Sequence, residues 1–208
     1  MTSPILRDFP DAFESERLLI RSPRPGDGAA VHEAIQESLA ELLPWMPWAH
    51  EPQSVDASES FARLAHANFA ARRDLPLFLF RRDDGMFVGG SGLHDLNWSV
   101  PSFGIGYWVR TSLAGQGFAT EATVRIAEFA FDELAAERVE IWCDAANERS
   151  AAVAQRAGFA FEARMQRNRR NTSGDLADSL CFVRLREHAA DVRGWFAEGT
   201  LEEEPDED

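Results

Sequence analysis

The chain has 208 residues, 45% of them hydrophobic and 27% charged, an ordinary globular balance that excludes collagen-like and wholly disordered readings. Two cysteines, Cys143 and Cys181, are too few for a disulfide framework and lack the paired spacing of a zinc site. The net charge of −14 disfavours nucleic acid and anionic membrane as partners, and no apolar run nears the ~20 residues of a membrane span.

The opening MTSPILRDFP lacks a basic stretch followed by an apolar one, so the expected location is the cytoplasm. Residues 17–21, RLLIR, predict a first strand, closed by the turn-forming Ser22-Pro23-Arg24-Pro25-Gly26. Asp27 is placed to cap a helix in which Val31, Ile35, Leu39 and Leu42 share a face, and Pro44 stops it. The segment 43–48, LPWMPW, is too rich in proline for regular structure. A second helix follows Ser54, with Phe61, Leu64, Ala65 and Phe69 predicted on one face.

Three strands come next, over 77–80, 86–90 and 103–109, with Asp84-Gly85 as a hairpin signal between the first two. A glycine-rich turn opens a helix over 120–134, and residues 139–143 read as a strand. A short helix over 150–157 ends at Gly158, and strands at 159–162 and 180–185 complete the series. Hairpins first and strand–helix–strand crossovers later argue a mixed sheet with helices on its faces, an α+β or α/β sandwich. The last eight residues, LEEEPDED, hold six carboxylates and read as a disordered solvating tail (201–208) behind one domain over 1–200.

Two segments carry chemistry. In the first, Val109 leads through Gly115-Gln116-Gly117-Phe118-Ala119 into the helix at Thr120. Glycines there let backbone amides turn inward, and the helix N-terminus adds positive charge, the makings of a phosphate or pyrophosphate site. The spacing fits neither a Walker loop nor the dinucleotide fingerprint. A plain strand–helix turn is the competing reading. In the second, Asn147 lies in a strand's exit loop and Ser150 is placed to cap the next helix. Both loops leave strands at their carboxyl ends, where ligands of such sheets sit.

Taken in order, these residues resemble the GCN5-related N-acetyltransferase (GNAT) superfamily, in its RimJ/RimL-like, ribosomal-protein N-terminal acetyltransferase branch. The resemblance is carried by Glu16-Arg17-Leu18, Trp45-Met46-Pro47-Trp48, Gly106-Tyr107-Trp108-Val109, the 115–122 loop, and Asn147-x-x-Ser150 to Gly158-Phe159. It implies a mostly antiparallel sheet with one splayed parallel pair and helices on both faces. It also implies acetyl-CoA, with no metal, as co-substrate. Its pyrophosphate would rest on the amides of Gln116–Thr120, and its pantetheine arm would face the backbone of Trp108 and Val109 and the side chain of Asn147. Ser150 would lie near the thiol. The acceptor would be an amine, such as a basic protein N-terminus, and a homodimer is compatible with the branch.

The sequence departs from its relatives at Ala114, which opens the loop motif, at Gly104, where an acidic residue is common, and at Arg169, near the place of a glutamate base. Tyr107, the single tyrosine, is in a strand, so the superfamily's tyrosine acid after the Asn147 loop is missing. His94 and Asp95 are candidate proton acceptors, or turn residues. Ser150 is a candidate acid for the leaving thiolate, or a helix cap. Trp45 and Trp48 wall the acceptor tunnel or clasp the first helices. Asp175 and Asp178 bind an incoming ammonium or lie solvated in a turn, and the arginines of 167–171 read as a rim. Three functions stay open at this stage: acetylation of a protein or peptide α-amine, acetylation of a small amine such as an antibiotic or toxin, and non-catalytic acetyl-CoA binding.

Overall fold

Residues 3–51 and 54–186 are described by a computed structural model of the chain. Short strands β1 (Ala12–Glu14) and β2 (Leu18–Arg21) lead into helices α1 (Gly28–Leu42) and α2 (Val55–Ala70). Then come β3 (Leu75–Arg81), β4 (Phe87–Asn97), β5 (Ser102–Val109), α3 (Phe118–Glu133), β6 (Arg138–Asp144), α4 (Glu148–Arg156), β7 (Ala160–Arg170) and β8 (Leu176–Leu185). The eight strands form one sheet in the order β1-β2-β3-β4-β5-β6-β8-β7. Every neighbouring pair is antiparallel except β5 and β6, which α3 connects as the crossover that a parallel pair requires. The expected architecture is present. The tail expected over 201–208 lies outside the described residues.

Alternation along β3 sends its side chains into two cores. Leu77 and Leu79 pack into the large cluster with Ile126, Phe129 and Ala130 of α3, while Phe78 joins Val31, Ile35 and Ala62 of α1 and α2 on the other face. Phe13 stacks on Phe129 at a centroid distance of 4.4 Å, which draws β1 over α3.

Several local expectations change. Asp27 stands at the start of α1, but its carboxylate accepts from Arg21, at 2.6 and 2.9 Å, and from the Arg24 amide. The amides of Gly26 and Gly28 donate instead to Glu59 of α2. The two helices touch there, since a Cβ on Gly28 would stand 2.5 Å from the Glu59 backbone. That close approach rotates α2. Its buried stripe is Ser58, Ala62, Ala65 and Phe69, while Phe61 and Leu64, expected inside, are 52% and 62% exposed. Strands β7 and β8 form a hairpin much longer than expected, because the polar, arginine-rich β7 is an exposed edge strand without an apolar stripe.

Candidate active site

The β5–β6 ladder runs only from Ser102↔Arg138 to Gly104↔Glu140. Beyond it the strands leave a cavity of about 320 Å³, bordered by Tyr107, Cys143, Asn147 and Ser150. On its other edge β5 stays paired with β4, and the Arg110 amide donates to Val88 O at 2.8 Å. Antiparallel ladders alternate the edge to which successive amides point, so Trp108 faces β4 while Tyr107 and Val109 face the gap. Of the two backbones expected on the gap, Val109 is there and Trp108 is turned away, its indole in the second core.

The loop after β5 leads into α3. Gly117 starts α3 in the left-handed region (φ +84°), as does Gly115 (φ +76°), where side chains are strained. The first internal bond of α3 is from Glu121 N–H to Gly117 O, which leaves the amides of Phe118, Ala119 and Thr120 as uncommitted first-turn donors. Arg17 braces the loop. Its guanidinium lies 4.3 Å over the Phe118 ring, bonds Gln116 O at 3.0 Å and pairs with Glu121 at 2.6 Å. Burial pushes the Glu121 carboxyl up, but the Ser15 hydroxyl and the Arg17 amide and guanidinium hold it below the usual range.

Asn147 caps α4. Its Oδ1 accepts from the Ser150 amide at 3.0 Å, so Ser150 lies inside the first turn and is not the cap. Asn147 Oδ1 serves the helix, and its amide group remains for a ligand. The Ser150 hydroxyl is 3.1 Å from Tyr107 Oη, which also donates to Ser150 O at 2.9 Å. Burial pushes the Tyr107 phenol up to about 12, so it stays protonated. Burial likewise raises the Cys143 thiol. Arg169, at the place of a family glutamate, is ion-paired with Asp144 and bonded to Ser179 Oγ. The phenol beside Ser150 thus comes from β5. Strand alternation could have aimed Tyr107 at one face, but only the fold brings it to Ser150.

A second opening, about 390 Å³, lies on the α1/α2 face of the sheet. His94 lies within β4, not after it, and rests flat across β5 because Gly104 and Gly106 have no side chains. A Cβ on Gly106 would come within 2.9 Å of the imidazole. Asp95 is exposed, has φ +51°, and does not border this opening. The carboxylate that shares the cavity with His94 is Asp74, just ahead of β3, which sequence reasoning missed. Burial raises the Asp74 carboxyl, and the nearby His94 opposes that shift.

The two tryptophans part company. Trp45 borders the strand gap, and Trp48, in a 3₁₀ turn (Pro47–His50), packs 6.0 Å from Trp108 on the α1/α2 face. Asp178 is already engaged, by the Arg167 amide at 2.8 Å and by Arg164 at 2.7 Å, which keep its carboxyl below the usual range. It is therefore not a free ammonium receptor. Asp175 is exposed in the β7–β8 turn. Among the described residues no group of histidine, cysteine or carboxylate side chains could hold a metal ion, and no helix is long and apolar enough to cross a membrane.

Comparison with known proteins agrees with the fold. The acetyltransferase (GNAT) domain family matches residues 17–160. The Bacillus subtilis (strain 168) protein YdaF, named as a ribosomal N-acetyltransferase, is 31% identical over 149 residues, which are 71% of this chain and 80% of that protein. A Mycobacterium smegmatis RimJ structure in complex with CoA-disulfide is 28% identical, with a TM-score of 0.74, covering 82% of this chain and 83% of that one. The microcin C7 self-immunity acetyltransferase MccE, in complex with acetyl-CoA and AMP, shares the fold at a TM-score of 0.79 and 20% identity, covering 85% and 97%. The chain belongs to the GNAT acetyltransferase family, in its RimJ/RimL-like branch.

Proposed function

We propose that this member of the family is an acetyl-CoA-dependent N-acetyltransferase whose acceptor is the α-amine of a protein or peptide N-terminus. One observation carries the reading: β5 and β6 part beyond Gly104↔Glu140 around an open cavity, and β5 leads through the glycine loop into the uncommitted amides that open α3. A pyrophosphate on Phe118–Thr120 would meet amide donors and the helix's positive end. The pantetheine arm would then follow the unpaired edge of β5, with the Asn147 amide group beside it.

Val109 N–H is the donor for negative charge that develops on the thioester carbonyl oxygen. The Ser150 and Tyr107 hydroxyls, both protonated at working pH, supply the proton for the leaving sulfur. On the other face of β5, His94 is held to accept the amine's proton, and Asp74 in the same cavity favours the resulting imidazolium. The order of events is direct attack without an acyl-enzyme. The acidic body draws in a cationic acceptor, and the name of YdaF supports a ribosomal protein as acceptor, which implies a cytoplasmic enzyme.

The test is release of CoA thiol from acetyl-CoA over a panel of N-terminal peptides and small amines, with acetylated product identified by mass. Turnover on peptides above that on small amines is expected. Faster turnover of a small amine would replace the acceptor, and binding of acetyl-CoA without transfer to any amine would make the protein a non-catalytic module.

A further inference from the structure

We infer that the acceptor carries, next to its amine, an aromatic ring with a hydrogen-bonding tip, a phenol being the simplest, seated between α1 and α2. This deepens the acetyltransferase reading and rests on it for the position of the amine. Beside the opening that holds His94 and Asp74 lies a cavity of about 320 Å³. The two share Trp48, Phe61, Phe78 and Trp108 as walls, so a molecule whose amine sits by His94 reaches directly into the second space. Val31 and Ile35 of α1 extend the apolar wall, and Glu51 and Ser58 are its polar members. The volume lies at the low end for small-molecule pockets, so it suits a single ring better than a cofactor.

Ser58 is the second, independent observation. It borders this cavity and is 4% exposed, and its Oγ has no hydrogen-bond partner. Buried hydroxyls nearly always find one. The hydroxyl can donate or accept, and a turn about its Cα–Cβ bond that brings Oγ toward the cavity would let a phenol or similar tip satisfy it. The rotation of α2 explains the arrangement: the small face that meets α1 carries Ser58 inward, and the same turn swings Phe61 over the mouth as an exposed wall. A carboxylate would lose its water here and meet only the like charge of Glu51 in the lining.

The test compares Tyr-Ala-amide, Phe-Ala-amide and Ala-Ala-amide as acceptors, with tyramine as a binding probe read by tryptophan fluorescence. The tyrosyl acceptor is expected to exceed the alanyl one in kcat/KM by about tenfold or more and the phenylalanyl one by a smaller factor. Ser58→Ala should bring the Tyr-to-Phe ratio toward one, and Phe61→Ala, at an exposed position that does not endanger folding, should collapse both ratios. Tyramine should quench fluorescence saturably, and less tightly in both variants. Equal kcat/KM for all three peptides, or tyramine binding indifferent to Phe61 and Ser58, overturns the inference while leaving the transferase reading intact. Ser58-dependent tyramine binding in a protein that acetylates no amine would instead uphold the pocket and overturn the transferase reading.

Discussion

The two faces of β5 are built from different materials. Toward β6 and α3 the proposed site is backbone: the edge amide of Val109, the glycine-shaped loop, and the first-turn donors of α3. Toward α1 and α2 it is side chain: His94, Asp74, Trp48, Trp108, Phe61 and Ser58, drawn from five separate segments. A backbone site tolerates wide sequence change so long as a few glycines and one helix start persist, whereas a side-chain site can be rebuilt for each acceptor. The difference explains how one scaffold can keep a common co-substrate and vary the amine.

The largest effect should come from the backbone half. Gly117→Asp, at φ +84° with only the tip of Arg17 nearby, sets a carboxylate where a pyrophosphate would lie. Calorimetry should show acetyl-CoA binding lost in a variant whose circular dichroism is unchanged. Retained affinity would remove the loop from the site.

Next is the joint between the halves. Arg110, 8% exposed at the end of β5, is held by Glu37 and Glu33 of α1. Removing Glu37 leaves that guanidinium poorly paired, so Glu37→Ala should cost about 3 kcal/mol in urea unfolding. The hydrogen bonds from Arg110 and the Ser112 amide hold the Glu37 carboxyl at about 2, against an ordinary 4.5. A depressed folded value means that its contribution is complete above pH 4.5 and fades as pH falls toward 2. The wild type should thus lose more stability across that window than Glu37→Gln does.

The side-chain half should respond in rate and not in co-substrate binding. His94→Ala should lower kcat by about 100-fold with unchanged acetyl-CoA affinity. Gly106→Ala, whose methyl would displace the imidazole, should mimic it in part. If the rising limb of the pH–rate profile follows the acceptor's own amine and ignores both variants, the enzyme positions two reactants and water takes the proton.

The smallest effect separates neighbours on α4. Asn147→Ala should lose about 1 kcal/mol of stability, as a helix cap does. Ser150→Ala keeps the capped amide, so it should leave the melting temperature nearly unchanged and lower kcat instead. A Ser150→Ala enzyme of full activity would leave proton donation to Tyr107 alone.

Sequence reading succeeded where causes are local. Glycines at 115, 117 and 158, the turn at Asp84-Gly85 and the start of α2 at Ser54 act on backbone a few residues away, and each stands where expected. It failed where the partner is distant. The end of α1 expected to be capped by Asp27 is served by Glu59, His94 shares its cavity with Asp74 instead of Asp95, and Asp178 is taken by Arg164. The reading stopped β7 at residue 162, short of Arg170, because an exposed edge needs no apolar period.

The sequence by itself therefore determined the order of strands and helices after β1, the family, and the loop that opens α3, since these depend on spacing and on backbone freedom within short windows. Only the tertiary structure decided which side chains share a cavity. Helix rotation is set by how closely two helices can approach, and that contact between Gly28 and Glu59, thirty-one positions apart, turns Ser58 inward and Phe61 outward. Pairing of β4 with β5 likewise lays His94 over two glycines ten and twelve residues on, a juxtaposition that no periodicity along the chain encodes.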